Sequence, residues 1–234
     1  MAERPSDSYA EYRTDHEEPR FTDWLRERAE PAWSEMLDHR FTGEMADGTI
    51  ERESFERYLV HERAFVKTAA SVLGHGVGDA RTLNEMRHLS GILDTLLTDQ
   101  LEYFDRAFEA CGIPPERWED PDLPPQASLL EDVVMRAATE NGFEELLAPM
   151  AAAEWLYLTW SRAAADGETG EPLIDEWIEL HVSESFEAQS VWLRDRLDRY
   201  GPQLSPHRQR RVRYFFARTV EAEIAFHDAV YPDV

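Results

Sequence analysis

Between positions 21 and 37 the apolar side chains Phe21, Trp24, Leu25, Ala29, Trp33, Met36 and Leu37 return every three or four residues, with polar residues between them. That spacing puts one stripe of an α-helix against a core. The same rhythm predicts a second helix from about Arg52 to Leu73, opened by the turn Asp47-Gly48-Thr49 and closed by Gly74 and Gly76, and a third from about Asp79 to Ala110, ending at Gly112. The proline-dense stretch GIPPERWEDPDLPPQ then stops helix formation. Further helices are expected at about 126–141, 143–165, 171–200 and 206–231. They are separated by Asn141-Gly142, the loop DGETG and the stretch Gly201 to Pro206, where Ser205-Pro206 suits an N-cap and first turn. No segment alternates with period two or gathers β-branched residues. The expectation is an all-α single domain of about seven helices over residues 21–234, preceded by a flexible acidic tail over residues 1–20, which lack periodic apolar spacing.

A chain of 234 residues with 42% hydrophobic content can bury one substantial core. Its charge is one-sided: 48 acidic against 24 basic residues give a net charge of -24. That excludes bare nucleic acid as a partner, because phosphate binding needs a basic footprint. Lys67 is the only lysine. A dense carboxylate surface almost free of lysine suits a halophilic protein, since salt screens the repulsion; a GC-rich genome that favours arginine is the other source of the pattern. Cys111 stands alone, so no intrachain disulfide or cysteine metal cluster can form. The first residues lack the apolar segment of a signal peptide, and no apolar run reaches the length of a membrane span. A soluble, cytoplasmic protein with no membrane partner is expected.

The stretch HRFTGEMADGTIERESFERYLVHERAF resembles the TenA family, that is, thiaminase II and its relatives. His39, Phe41, Asp47, Gly48, Thr49, Ile50, Phe55, Tyr58, Leu59 and Val60 fall in register with the pattern His-x-Phe, Asp-Gly-Thr-hydrophobic, Phe-x-x-Tyr-Leu-Val-Gln-Asp. Four later blocks follow in the family's order: LEYFDRAFEACGIPPE, AAAEWLYLTW, DEWIELHVSESFEAQSVWLRDRLD and EAEIAFHDAVY. The resemblance covers about residues 21 to 231. It implies a haem-oxygenase-like helical bundle, a homo-oligomer (tetramer or dimer), and a pocket inside each bundle where a small heterocycle is processed without metal or other cofactor. Relatives cleave thiamine or hydrolyse the amino group of an aminopyrimidine, using a nucleophile near the ring, a carboxylate that holds the ring edge, and aromatic walls.

Carried over position by position, the family's last-helix glutamate matches Glu223, which shares a helix face with Phe226 and His227. Buried there, it would have a raised pKa and could pass a proton to the leaving amine. The ring-holding aspartate matches Glu62, one methylene longer, with Phe65 as an aromatic wall on the same face and Tyr58 one turn earlier. The nucleophilic cysteine falls at Ala153. Glu154 stands beside that position but about 100° around the helix, so it does not simply replace the thiol. Tyr157 follows in the same block. Two pocket tyrosines match Leu130 and His181, and the closing tryptophan matches His227. The catalytic set expected is therefore Glu223, Glu62 and Glu154, with Phe65, Tyr58, Leu130, Ala153, Tyr157, His181, Phe226 and His227 binding substrate and no metal ligands.

The resulting expectation is a TenA-like C–N hydrolase acting on an aminopyrimidine or related N-heterocycle in thiamine pyrimidine salvage, with little thiaminase activity because the thiol is missing. Two other classes stay open. One is a non-catalytic heterocycle-binding or regulatory protein. The other is a metal-dependent oxidase of the wider superfamily, in which Glu223 and His227, at i and i+4, share an ion with His181 or Glu62.

Overall fold

The computed structural model describes residues 8–140, 142–165 and 167–232. Among them every regular element is helical: α1 (Tyr9–Asp15), α2 (Phe21–Arg28), α3 (Ala32–Leu37), α4 (Arg40–Ala46), α5 (Arg52–Asp79), α6 (Leu83–Leu97), α7 (Asp99–Cys111), α8 (Pro125–Glu140), α9 (Phe143–Ala164), α10 (Pro172–Val182), α11 (Glu184–Tyr200) and α12 (Pro206–Asp228), with short 3-10 turns at Pro115–Arg117 and Gly201–Gln203. The all-α class is as expected, but the helices are more numerous than the seven counted from the pattern. The stripe over 21–37 is divided at the Glu30-Pro31 bond. The stretch expected as one helix over 79–110 is divided at Thr98, whose φ of -117° and ψ of -82° depart from helical geometry between α6 and α7. The expected helix over 171–200 is divided at Ser183, whose hydroxyl accepts from the Phe186 N–H and caps α11. In contrast, α5 runs through Gly74 and Gly76 to Asp79 instead of closing at them.

The expected tail carries α1. Ser8 and Glu11 form a reciprocal capping box at its start. Tyr9 and Tyr12 are buried, Tyr9 against Phe21 and Trp24 and Tyr12 against Tyr9 and His16, and the Tyr9 hydroxyl donates to the Pro19 carbonyl across 2.9 Å. Two well-placed tyrosines are enough to dock a seven-residue helix that shows no longer apolar period. Residues 1–7 lie outside the described part of the chain.

The core is one continuous cluster that includes the fully buried Trp24, Trp33, Trp177, Phe215 and Phe216. α12 packs on α8, α9 and α3, while α5 packs on α6 and α8, and α11 on α9. α9 is apolar on nearly every side and runs through the middle of this arrangement. Its first turn is tied to α12 by Arg208, which reaches Glu145 through Nε at 2.9 Å and Glu144 at 2.8 Å; Arg81 bonds Glu144 from the other side. At the turn before α5, Gly48 has φ of 63°, and a Cβ there would run into the Thr169 carbonyl. Both the backbone geometry and that approach require glycine.

Candidate active site

A cavity of about 640 Å³ opens between α5, α6, the start of α7, α8, α9, α10, α11 and α12. Its apolar wall is built from helix stripes. Phe65, Val66, Ala69, Val72 and Leu73 come from α5, Leu130 and Val134 from α8, and Trp177, Leu180 and Phe186 from α10 and α11. The exposed residues Asn84, Arg87 and Gly91 of α6 place one edge of the cavity near solvent.

Three carboxyl groups from three helices converge on this space: Glu62 from α5, Glu154 from α9 and Glu223 from α12. Burial, chiefly, pushes Glu62 up to about 7, against the hydrogen bonds from Tyr157 and Tyr58 that favour its charge. Burial likewise raises Glu154 to about 8, partly opposed by the Gln189 amide, which donates to its Oε1 across 2.8 Å; its Oε2 is buried with no partner. Glu223 is raised well above the usual carboxylate range, first by burial and then by the charges of Glu62 and Glu154. Its Oε2 also has no hydrogen-bond partner. Three buried, mutually repelling acids on one cavity thus hold protons above the usual carboxylate range.

The polar groups behind them are neutral. His227 Nδ1 lies 2.6 Å from the Glu223 backbone carbonyl, and His181 Nδ1 lies 2.7 Å from that of Trp177. A carbonyl only accepts, so each Nδ1 carries the ring proton and each Nε2 is left as an acceptor. Burial holds His227 down to about 3 and His181 to about 4. The Tyr157 hydroxyl lies 2.5 Å from Glu62 Oε1, 3.2 Å from the Tyr58 hydroxyl and 3.3 Å from His227 Nε2.

Of the residues expected from sequence, Glu62, Phe65, Leu130, Ala153, Glu154, Tyr157, His181 and Glu223 line the cavity. Tyr58, Phe226 and His227 do not: they stand one layer behind it. Tyr58 is one turn before Glu62 on α5, His227 is one turn beyond Glu223 on α12, and Tyr157 covers that level of the bundle. Phe226 packs between Tyr58, His61 and Phe65. The i, i+4 pair Glu223 and His227 therefore does not present two ligands to one ion, since Nδ1 is spent on the carbonyl and Nε2 faces Tyr157. Among the described residues, no group of three or more His, Cys, Asp or Glu side chains is placed to hold a metal ion.

Sequence reasoning missed Gln189, Asn84, Arg87, His88 and Trp177. Gln189 sits on the same α11 stripe as Phe186 and Leu193, three and four residues away, which is the signal that could have found it. The α6 residues carry no such signal, because they lie on the solvent-facing edge of a helix.

The TENA/THI-4/PQQC family model matches residues 26–232. An aminopyrimidine aminohydrolase of Halalkalibacterium halodurans is 24% identical over 211 residues, covering 88% of this chain and 93% of its own. One of Helicobacter pylori is 20% identical over 89% of this chain and 97% of its own. Among solved structures, a TenA family transcription regulator of Silicibacter sp. TM1040 superposes with a TM-score of 0.82 at 23% identity, covering 91% of this chain and 97% of its own. The TenA homologue of P. horikoshii gives 0.81 at 19% identity, covering 90% and 98%. These likenesses show the fold, a haem-oxygenase-like helical bundle.

Proposed function

We propose, from the premise that the chain belongs to the TENA/THI-4/PQQC family, that it hydrolyses a C–N bond of an aminopyrimidine or related N-heterocycle in pyrimidine salvage. The observation that carries this reading is the convergence of Glu62, Glu154 and Glu223 on one cavity walled by Phe65, Tyr157 and Phe186. A heterocycle stacks on these rings. Glu62, titrating at about 7, holds the ring edge: its protonated form sets an O–H beside a C=O, which matches a ring nitrogen beside an exocyclic amine.

The reaction then needs one acid and one base. Glu223, held protonated by burial and by its two acidic neighbours, gives its proton to the departing amine. Glu154 in its ionised form takes a proton from a water molecule, whose oxygen bonds to the carbon as the C–N bond breaks. Ammonia leaves, a hydroxyl replaces it, and the proton on Glu154 returns to Glu223. Water is the nucleophile because Ala153 presents only a methyl group where the resemblance implies a thiol, so thiamine cleavage is expected to be weak. A homo-oligomer is expected from the family, and light scattering on the purified chain checks it.

Ammonia release from a panel of aminopyrimidines, measured in high salt, tests the reading. Glu223→Gln is expected to lower kcat about 10²- to 10⁴-fold, the usual contribution of a general acid. Robust cleavage of thiamine would overturn the direct-water route. The same Ala153 methyl favours a second reading, a heterocycle binder without turnover. Tight binding with no ammonia from any compound, unaffected by Glu223→Gln, would select it.

A further inference from the structure

At the cavity wall the Tyr157 hydroxyl has one proton and three neighbours that can accept it: Glu62 Oε1, His227 Nε2 and the Tyr58 hydroxyl, 3.2 Å away. The Tyr157 oxygen is 2.5 Å from Glu62 Oε1 and 3.3 Å from His227 Nε2. His227 cannot donate there, because its single ring proton is on Nδ1, bonded to the Glu223 carbonyl. The ring is fully buried and wedged against Phe41 and Tyr58, so it has no room to swing away. A tyrosine hydroxyl donates to one acceptor at a time. A carboxylate outcompetes both neutral acceptors, and of those two the imidazole nitrogen is more basic than the Tyr58 oxygen, so the charge on Glu62 decides whether His227 receives the proton.

When Glu62 is ionised, its carboxylate is the stronger acceptor and takes the Tyr157 hydrogen bond. When Glu62 is protonated and the cavity is empty, its own O–H donates to the Tyr157 oxygen, and the tyrosine proton turns to His227 Nε2; a bound ring nitrogen would take the Glu62 O–H instead. Every donor then has an acceptor in both charge states, as a buried network requires. The resemblance puts tryptophan at this position, and an indole N–H donates but never accepts. Histidine therefore adds an acceptor that the family pattern lacks.

We propose that His227 is a positioning residue that acts through Tyr157, receiving the tyrosine proton when Glu62 is neutral and releasing it when Glu62 ionises. Its effect is to stabilise the protonated form of Glu62 at the cavity wall. The part it plays in turnover rests on the hydrolase reading; the hydrogen-bond exchange does not. Other groups around Glu62 and His227 act in both charge states. Tyr58 and Tyr103 face Glu62 from α5 and α7, Glu223 raises the local negative charge from α12, and His181 approaches Tyr157 from α10. Glu154 couples to Glu223 from α9, and His39 approaches His227 from the start of α4.

The test is a carbon-13 NMR titration of glutamate carboxyls in the ligand-free full chain, with the Glu62 signal identified by its loss in Glu62→Gln. Replacing the acceptor in His227→Phe or His227→Leu is expected to lower the Glu62 midpoint by about one pH unit, the weight of the one neutral hydrogen bond that the protonated state loses. His227→Gln, whose amide oxygen can accept, is expected to keep the parental midpoint. In the unaltered chain, the nitrogen-15 shift of His227 Nε2 is expected to move with the Glu62 midpoint. A flat Nε2 shift across that titration, or Gln and Phe variants that shift Glu62 equally, overturns the proposal. Neither readout uses a substrate, so failure to turn over aminopyrimidines would leave the titration result standing, and the reverse.

Discussion

Gln189 on α11 donates its amide N–H to Glu154 on α9 across 2.8 Å, at the edge of the cavity where Ala153 leaves space. This is the bond that favours the ionised form of Glu154, against burial. Gln189→Leu removes it, so the carboxyl holds its proton to higher pH and less base is available at neutrality. Turnover at pH 7 is expected to fall about tenfold, as for one hydrogen bond to a charged group. The rise of kcat with pH should move upward by the same loss, which a pH–rate profile measures.

The titration of the buried groups sets where the fold is most stable. Glu62 and Glu154 keep protons to about 7 and 8 in the folded chain, while an unfolded glutamate releases its proton near about 4.3. Between those limits the folded state binds more protons, so their stabilising effect is present at low pH and lost as pH rises through 7 and 8. His61, His181 and His227 act in the opposite sense, being held to about 4, 4 and 3 when folded, against about 6.5 unfolded. Their effect grows with pH up to about 6.5. Glu223, raised in the same sense, adds to the carboxyl effect, so the two sets oppose each other below about pH 6.5 and stability is expected to decline from about pH 6.5 toward pH 8, where only the carboxyl effect remains. Glu154→Gln should gain in Tm over the parent as pH rises from 6 to 9; a pH-independent difference would show that Glu154 does not carry that proton.

Ala153→Cys places a thiol on the cavity wall between Met150 and Tyr157, one helical turn from each. Thiamine cleavage is expected to appear in this variant and to be lost on alkylation with a thiol reagent, while alkylation of the parent, whose one thiol is Cys111 on α7, leaves its ammonia release unchanged. Assay of thiazole release before and after alkylation reads the outcome directly.

Arg208 is the cation between two almost fully buried carboxylates, Glu144 and Glu145. Arg208→Met strips both of a partner. A loss of about 3 kcal/mol is expected, the low end for a broken buried pair, because Arg208 is itself about a third exposed and Arg81 still reaches Glu144. Urea unfolding at constant salt measures it.

Periodicity alone revealed the helical class, because most helices turn one stripe to a shared core. It overextended the stripe over 21–37 and the helix over 79–110, since apolar spacing continues in phase across Glu30-Pro31 and Thr98 while the backbone does not. It also ended α5 at glycines that are harmless inside a helix held on both sides by tertiary packing. Glu62, Glu154 and Glu223 were legible because each sits in a block that resembles TenA sequences. His227 was legible as a residue but not as to depth: a one-turn offset from Glu223 keeps it on the same face and yet behind Tyr157. The α6 side of the cavity was hidden because Asn84 and Arg87 look like any other solvated positions.

Gly76 ends the cavity stripe of α5. A Cβ at this position would stand 3.2 Å from Leu146 of α9 and 3.5 Å from Leu89 of α6, so both leucines rest on bare backbone. The close approach of α5, α6 and α9 beside the cavity thus depends on an atom that is not there. The packing behind the cavity wall is set in part by a residue that is absent from that wall.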